Sequence, residues 1–188
     1  MENIKHRLSD VAHSWTTIGI ITLFLFSVQP SVIETQAFAL QATVEQEKKT
    51  EQQLKKETLE KFSNTVYKPS EMLTGHELKQ LLWAVGFEGR ALKEAWAIAK
   101  RESNGRPMAY NGNRNTGDSS YGIFQINMLG ELGIDRKEKF ELRSNISLFD
   151  PVVNAEITYY MTNGGKNWSS WKGINSAAKE WLDEFLTK

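Results

Sequence analysis

The chain of 188 residues is balanced at 23 basic and 23 acidic side chains, with 40% apolar residues and no cysteine. A net charge near zero offers no long-range attraction to polyanions, so nucleic acid is excluded as an expected partner and anionic lipid is a poor one. The length suits one modest core plus appendages, and that core must hold by packing, without the disulfides of small animal secreted domains.

Lys5, His6 and Arg7 precede an apolar run from Ile18 to Val28, and Ala37-Phe38-Ala39 supplies a small-x-small cleavage site. That order reads as a secretory signal peptide over residues 1–39. Pro30 interrupts the apolar run, yet an uncleaved anchor from Trp15 to Ile33, acting as a membrane tether, stays open. Either way the expected location is extracytoplasmic, secreted or membrane-anchored.

Gln41 to Val66 is rich in Gln, Glu and Lys and holds no Gly or Pro. Glu45 and Lys49, Glu51 and Lys55, and Glu57 and Lys61 are i, i+4 pairs in the favourable order, each adding about 0.2–0.5 kcal/mol to a helix. Leu54, Leu59 and Phe62 are too sparse for a coiled-coil seam. Residues 40–68 are therefore expected as a charged, partly helical linker, with a partner-binding helix as the alternative, and residues 69–188 as the domain.

Thr74-Gly-His-Glu77 is a capping box, followed by the apolar stripe Leu78, Leu81, Leu82 and Val85 and a stop at Gly86. His76, alone and without neighbouring Cys or His, reads as a surface residue and not a metal ligand. A second helix is expected from about Arg90 to Asn104. In it Ala91, Leu92, Ala95, Ile98 and Ala99 follow i, i+3, i+4 spacing, and Glu102 continues their stripe. Gly105 follows as a stop, so this carboxylate sits on the apolar face in the last turn. Such a place favours the neutral form of a carboxyl group, although a salt bridge to Arg101 or Arg106 answers the same pattern. Trp83, Phe87 and Trp96 are expected to pack the two helices together.

Arg106 to Tyr121, with Pro107, Gly112 and Gly117 among Asn, Thr, Ser and Asp, reads as loop or short hairpin. Gly130 to Ser147 has short helical potential and no motif. Asp150-Pro151 opens a helix marked by Val152, Ala155, Tyr159 and Tyr160, which Asn163-Gly164-Gly165 ends. Trp168 and Trp171 follow, then a last helix with Ala178, Trp181, Leu182 and Phe185 between Asn175 and Phe185. Asn145-Ile-Ser147 and Asn167-Trp-Ser169 match the glycosylation pattern at a length that arises by chance.

Three separated pieces stand in one order: Glu-Ser-Asn at Glu102–Asn104, the Asn-rich loop Asn111–Asp118, and Tyr-Gly-Ile-Phe-Gln-Ile-Asn at Tyr121–Asn127. They resemble the active-site segment of the lysozyme superfamily. The likeness is nearest to animal lysozymes around Asn113–Asn127 and extends to bacterial lytic transglycosylases and phage lysozyme-like domains. The absence of cysteine favours the bacterial or phage setting. The resemblance implies a mainly α (α+β) domain with a helical lobe and a small β-rich lobe flanking a substrate groove. It further implies Glu102 as the catalytic acid, with Ser103, Tyr121, Gln125 and Asn127 at the substrate. Gln125 and Asn127 offer amides to N-acetyl and hydroxyl groups, or equally tie the loop to the backbone. Trp168 and Trp171 provide flat rings for the apolar faces of hexoses, or equally cap the core.

In one respect the chain departs from animal lysozymes, which carry a second carboxylate just before Tyr-Gly, where Ser120 stands here. Asp118 is the nearest acid, as a second catalytic carboxylate or as a turn cap. Lytic transglycosylases need none, since the sugar's own 6-hydroxyl attacks the anomeric carbon. The expected activity is cleavage of the β-1,4 bond between N-acetylmuramic acid and N-acetylglucosamine in peptidoglycan glycan strands, by hydrolysis or transglycosylation. No metal or cofactor is expected, and the protein is expected to be a monomer. The rival expectations are a non-catalytic wall-binding or assembly module with the same groove, and a chitin-cleaving enzyme.

Overall fold

The computed structural model describes residues 30–185. The apolar run at Ile18–Val28 lies outside the described residues, so the expected signal peptide or anchor is described only from Pro30. Helix α1 (Pro30–Ser63) starts there, passes through Ala37-Phe38-Ala39 and takes in most of the segment expected as a partly helical linker. Good helix formers without an interior Gly or Pro account for the continuity, and Lys55 reaches Glu51 at 2.7 Å. Among the described residues, no helix is long and apolar enough to cross a membrane.

The chain forms two compact units, divided within α1 between Thr50 and Glu51. In the first, residues 36–50 are helical and exposed. The second begins earlier than the Pro69 boundary expected from composition. Phe62 is fully buried in the core and Leu59 packs against it. Lys55 also pairs with Glu88 at 3.2 Å and lies 5.0 Å from the centre of the Trp83 ring. Its pKa is raised, chiefly by the hydrogen bond to Glu51. Apolar residues too sparse for a helix-long seam still suffice for one turn of contact with a core.

Helix α2 (Gly75–Val85) opens with the expected capping box. Glu77 N–H donates to Thr74 Oγ1 at 3.1 Å, and Thr74 N–H donates back to Glu77 Oε2 at 2.9 Å. The Thr74 N–H, and after it the Thr74 hydroxyl donating to Glu77 Oε2 at 2.8 Å, hold the Glu77 carboxyl below its usual pKa. Gly86 ends α2 at φ 120°, with its N–H on Leu82 and Trp83 carbonyls. Helix α3 (Gly89–Ser103) follows at once. Ala95 to Ala99 are all fully buried, so α3 runs through the core and not along its surface. Its alanines let α2 and the last helix, α6 (Ser176–Glu184), close in on it. Trp96 donates to the Gly75 carbonyl at 3.0 Å and meets Trp181 and Phe185 edge-on.

The Asn-rich stretch forms a three-stranded antiparallel sheet of two-residue strands: β1 (Tyr110–Asn111), β2 (Ser120–Tyr121) and β3 (Ile126–Asn127). Ser120 faces Asn111 on one side and Asn127 on the other. Gly130–Lys139, which carries no readable motif, is helix α4. Asp150 caps helix α5 (Pro151–Met161) by accepting from Val152 N–H at 2.8 Å, with Pro151 at the first helical position. The chain turns back through Gly165, where a Cβ would come within 2.7 Å of that of Ala91.

Candidate active site

Glu102 lies in the last turn of α3, which Asn104 closes in the left-handed conformation at φ 57°. Its side chain is 26% exposed and takes the salt bridge to Arg101 that the stripe leaves as an alternative. Oε1 accepts from Arg101 Nη2 at 2.6 Å and from Nε at 2.9 Å, a two-point ion pair. Arg101, only 12% exposed, is itself fixed from the far end of the domain, donating to the carbonyls of Trp171 at 2.7 Å and Gly173 at 3.0 Å. The neighbouring residue thus anchors the carboxylate to the turn before α6. Oε2 has no hydrogen-bonding partner among the described residues. If a proton is carried, Oε2 is the atom available for it, because Oε1 faces two donors.

Beside this carboxylate lies a groove of about 510 Å³, lined by Arg101, Glu102 and Trp171 on the helical side and by Asn111, Asp118, Gln125 and Asn127 on the sheet side. Asp118 thus shares the groove with Glu102. One of its oxygens accepts from Thr116 Oγ1 at 2.7 Å, an arrangement that also serves as a turn. Ser120, at the position of the missing acid, is buried.

Much of the floor is held by a buried side chain outside the family-like motif. Asn154 on α5 accepts from Phe124 N–H at 2.9 Å and donates to the carbonyls of Tyr121 and Leu148 at 2.9 and 3.0 Å. That close approach requires Gly122. At φ 75°, a Cβ there would stand 2.2 Å from Asn154 Nδ2 and 2.3 Å from the Leu148 carbonyl.

Gln125 and Asn127 line the groove, but their amides bind the loop. Gln125 Nε2 donates to the Ala109 and Gly122 carbonyls, and Asn127 Nδ2 donates to Gly117 at 2.8 Å while its Oδ1 accepts from Leu129 N–H. The expectations for Ser103 and Tyr121 are corrected, and of the two alternatives left for Trp168 and Trp171 the structure favours the core. Ser103 is buried and donates to the Ile123 carbonyl at 2.8 Å, so it joins α3 to the floor and does not line the groove. Tyr121 also lies outside the groove lining, its ring between Tyr110 and Phe149. A hydrogen bond from Ser119 is the main reason its pKa is lowered. Trp168 is buried, stacked with Phe87 and Phe124. Trp171 is buried too and donates from Nε1 to the Phe124 carbonyl at 2.7 Å, bordering the groove without presenting an open ring face. Apolar rings close to a core are drawn into it, which is the outcome the Gly- and Ser-flanked sequence left open.

Arg136, Lys172 and Asn175 also line the groove, and the sequence carries no signal for them as groove residues. The sequence pattern presents Arg101 only as a salt-bridge partner of Glu102. For Arg136 no local signal existed, since it sits in the motif-free stretch. Among the described residues, no cluster of three or more His, Cys, Asp or Glu is placed to hold a metal.

Residues 79–173, about half of the chain, match the family model described as lysozyme like domain, and the chain belongs to that family. No curated protein and no solved structure gave a match. The matched span begins within α2, contains Glu102, both walls of the groove and α5, and ends at the Gly173 carbonyl that holds Arg101.

Proposed function

We propose that this protein is a peptidoglycan glycosidase acting outside the cytoplasmic membrane, with Glu102 as general acid and then base on the β-1,4 bond between N-acetylmuramic acid and N-acetylglucosamine. The observation that carries the reading is Glu102 itself, fixed through one oxygen with the other unpartnered, on the wall of a sugar-sized groove in a lysozyme-like domain. Oε2 gives its proton to the departing 4-oxygen as the C1–O4 bond breaks. It then takes a proton from the oxygen that attacks C1. In transglycosylation that oxygen is the sugar's own 6-hydroxyl and the product is a 1,6-anhydro end. In hydrolysis it belongs to water. The buried Ser120 and the tied Asp118 favour the one-carboxylate route. The leader-like residues 1–39 support placement beyond the membrane.

The test is incubation of the purified protein with isolated cell-wall sacculi and mass spectrometry of the released muropeptides. Anhydro ends, lighter by one water, report transglycosylation. Glu102→Gln should keep the fold and lower release about 10²- to 10⁴-fold. Undiminished release by that variant would remove Glu102 from the mechanism. The Arg101 ion pair and the missing carboxylate at Ser120 give a second reading, a wall-binding module without turnover, which predicts retention on sacculi and no released product.

A further inference from the structure

Arg136 is the groove residue whose chemistry the proposed cleavage does not use. It projects from α4, and Gly133 one turn earlier brings that helix against the backbone after β3, where a Cβ would stand 2.1 Å from the Met128 carbonyl. This contact lets Arg136 Nη1 donate to the Asn127 carbonyl, which orients the guanidinium at the groove. The side chain is partly buried, and loss of hydration lowers its pKa from the ordinary value. Among the described residues it has no ion-pair partner. Glu102 is paired with Arg101, while Asp118, the groove's other acid, is held by Thr116. A guanidinium that has lost part of its hydration is ordinarily compensated by a carboxylate, and its Nε and Nη2 hydrogens form a fork that matches one.

We infer that Arg136 is a specificity-determining residue that receives a carboxylate carried by the glycan substrate through its Nε–Nη2 edge. The inference rests on the proposed function and narrows it, since a peptidoglycan strand carries carboxylates and a chitin strand has none. The carboxylate is the lactyl group of a peptide-free muramic acid or a free carboxyl of the stem peptide. Lys172, on the same groove, adds positive charge without a fork.

The test is binding to the full chain carrying Glu102→Gln, which stops turnover while leaving an oxygen for Arg101. Three oligosaccharides of equal length serve as probes: a neutral chitooligosaccharide, a peptide-free N-acetylglucosamine–N-acetylmuramic acid oligomer, and the same oligomer bearing stem peptides. Adding Arg136→Gln should weaken binding of an acidic probe about 10- to 100-fold, the range for a lost charged hydrogen-bonded contact, and leave the chitooligosaccharide unchanged. Loss on the peptide-free oligomer assigns the lactyl carboxylate, and loss confined to the peptide-bearing one assigns the stem peptide. Arg136→Lys keeps the charge without the fork and should recover only part of the affinity. Should the glutamine variant fail to fold, the lysine variant decides, because it too must lose affinity selectively for acid. Equal loss on all three probes, or none on any, overturns the inference. Muropeptide release by the unmodified protein is scored separately, so a failure of the proposed function and a failure of this assignment give different results.

Discussion

On the helical wall of the groove, Glu102 is held by Arg101, whose remaining hydrogens reach the carbonyls of Trp171 and Gly173 late in the chain. Across the groove, Asp118 is held by Thr116, two residues before it, and Asn113 and Asn115 beside it are exposed. The first wall rests on α3, whose residues Ala95 to Ala99 admit no solvent; the second is a loop organised by its own short polar side chains. A group that must keep its position through a bond-breaking step belongs on the first kind of wall. A surface that accommodates a bulky, variable polymer suits the second.

The strongest test of this contrast is Glu102→Gln, with its expected fall of about 10² to 10⁴ in muropeptide release and an unchanged circular dichroism spectrum. Next is Gly122→Ala at the junction of the walls. Left-handed backbone combined with collision against Asn154 and the Leu148 carbonyl should destabilise the fold by about 3 kcal/mol, read as a lower denaturant midpoint. Arg101→Met strands two carbonyls and one carboxylate oxygen. A loss of about 2 kcal/mol is expected, together with a fall in turnover larger than the change in KM, since the acid loses its bearing.

Asp118→Asn should reduce turnover less than tenfold, as the change of a loop tie and not of a reacting group. A loss matching that of Glu102→Gln would make the two walls partners in the chemistry. The smallest effect lies away from the groove, at the capping box of α2. Because the folded-state pKa of Glu77 is depressed, its contribution is complete above the unfolded-state value and disappears as pH falls through the folded one. Thr74→Ala should cost about 1 kcal/mol at neutral pH and less in acid, measured by urea titration at several pH values.

The elements that local chemistry specifies were legible one by one. The capping box, the left-handed stop at Gly86, the Asp150-Pro151 start and the placing of Glu102 near the end of its helix all follow from residues within a turn of one another. The small sheet was legible from its residues as a loop or short hairpin and as a β-rich lobe only through likeness to a known family, because two-residue strands carry no alternation that sequence can display. Arg136 was not legible at all: its significance comes from Gly133 meeting the Met128 backbone, a contact that no periodicity announces.

By itself the sequence determined the starts and stops of α2, α3 and α5 and the mainly helical class, because caps, stops and apolar spacing act over a few residues. Tertiary structure alone decided that Trp168 and Trp171 turn inward, that Ser103 serves the floor, that Phe62 belongs to the domain, and that Arg101 holds Glu102 from residues 171–173. Those outcomes depend on which distant surfaces exclude water together, and burial is settled by packing in three dimensions, however suggestive the neighbours along the chain.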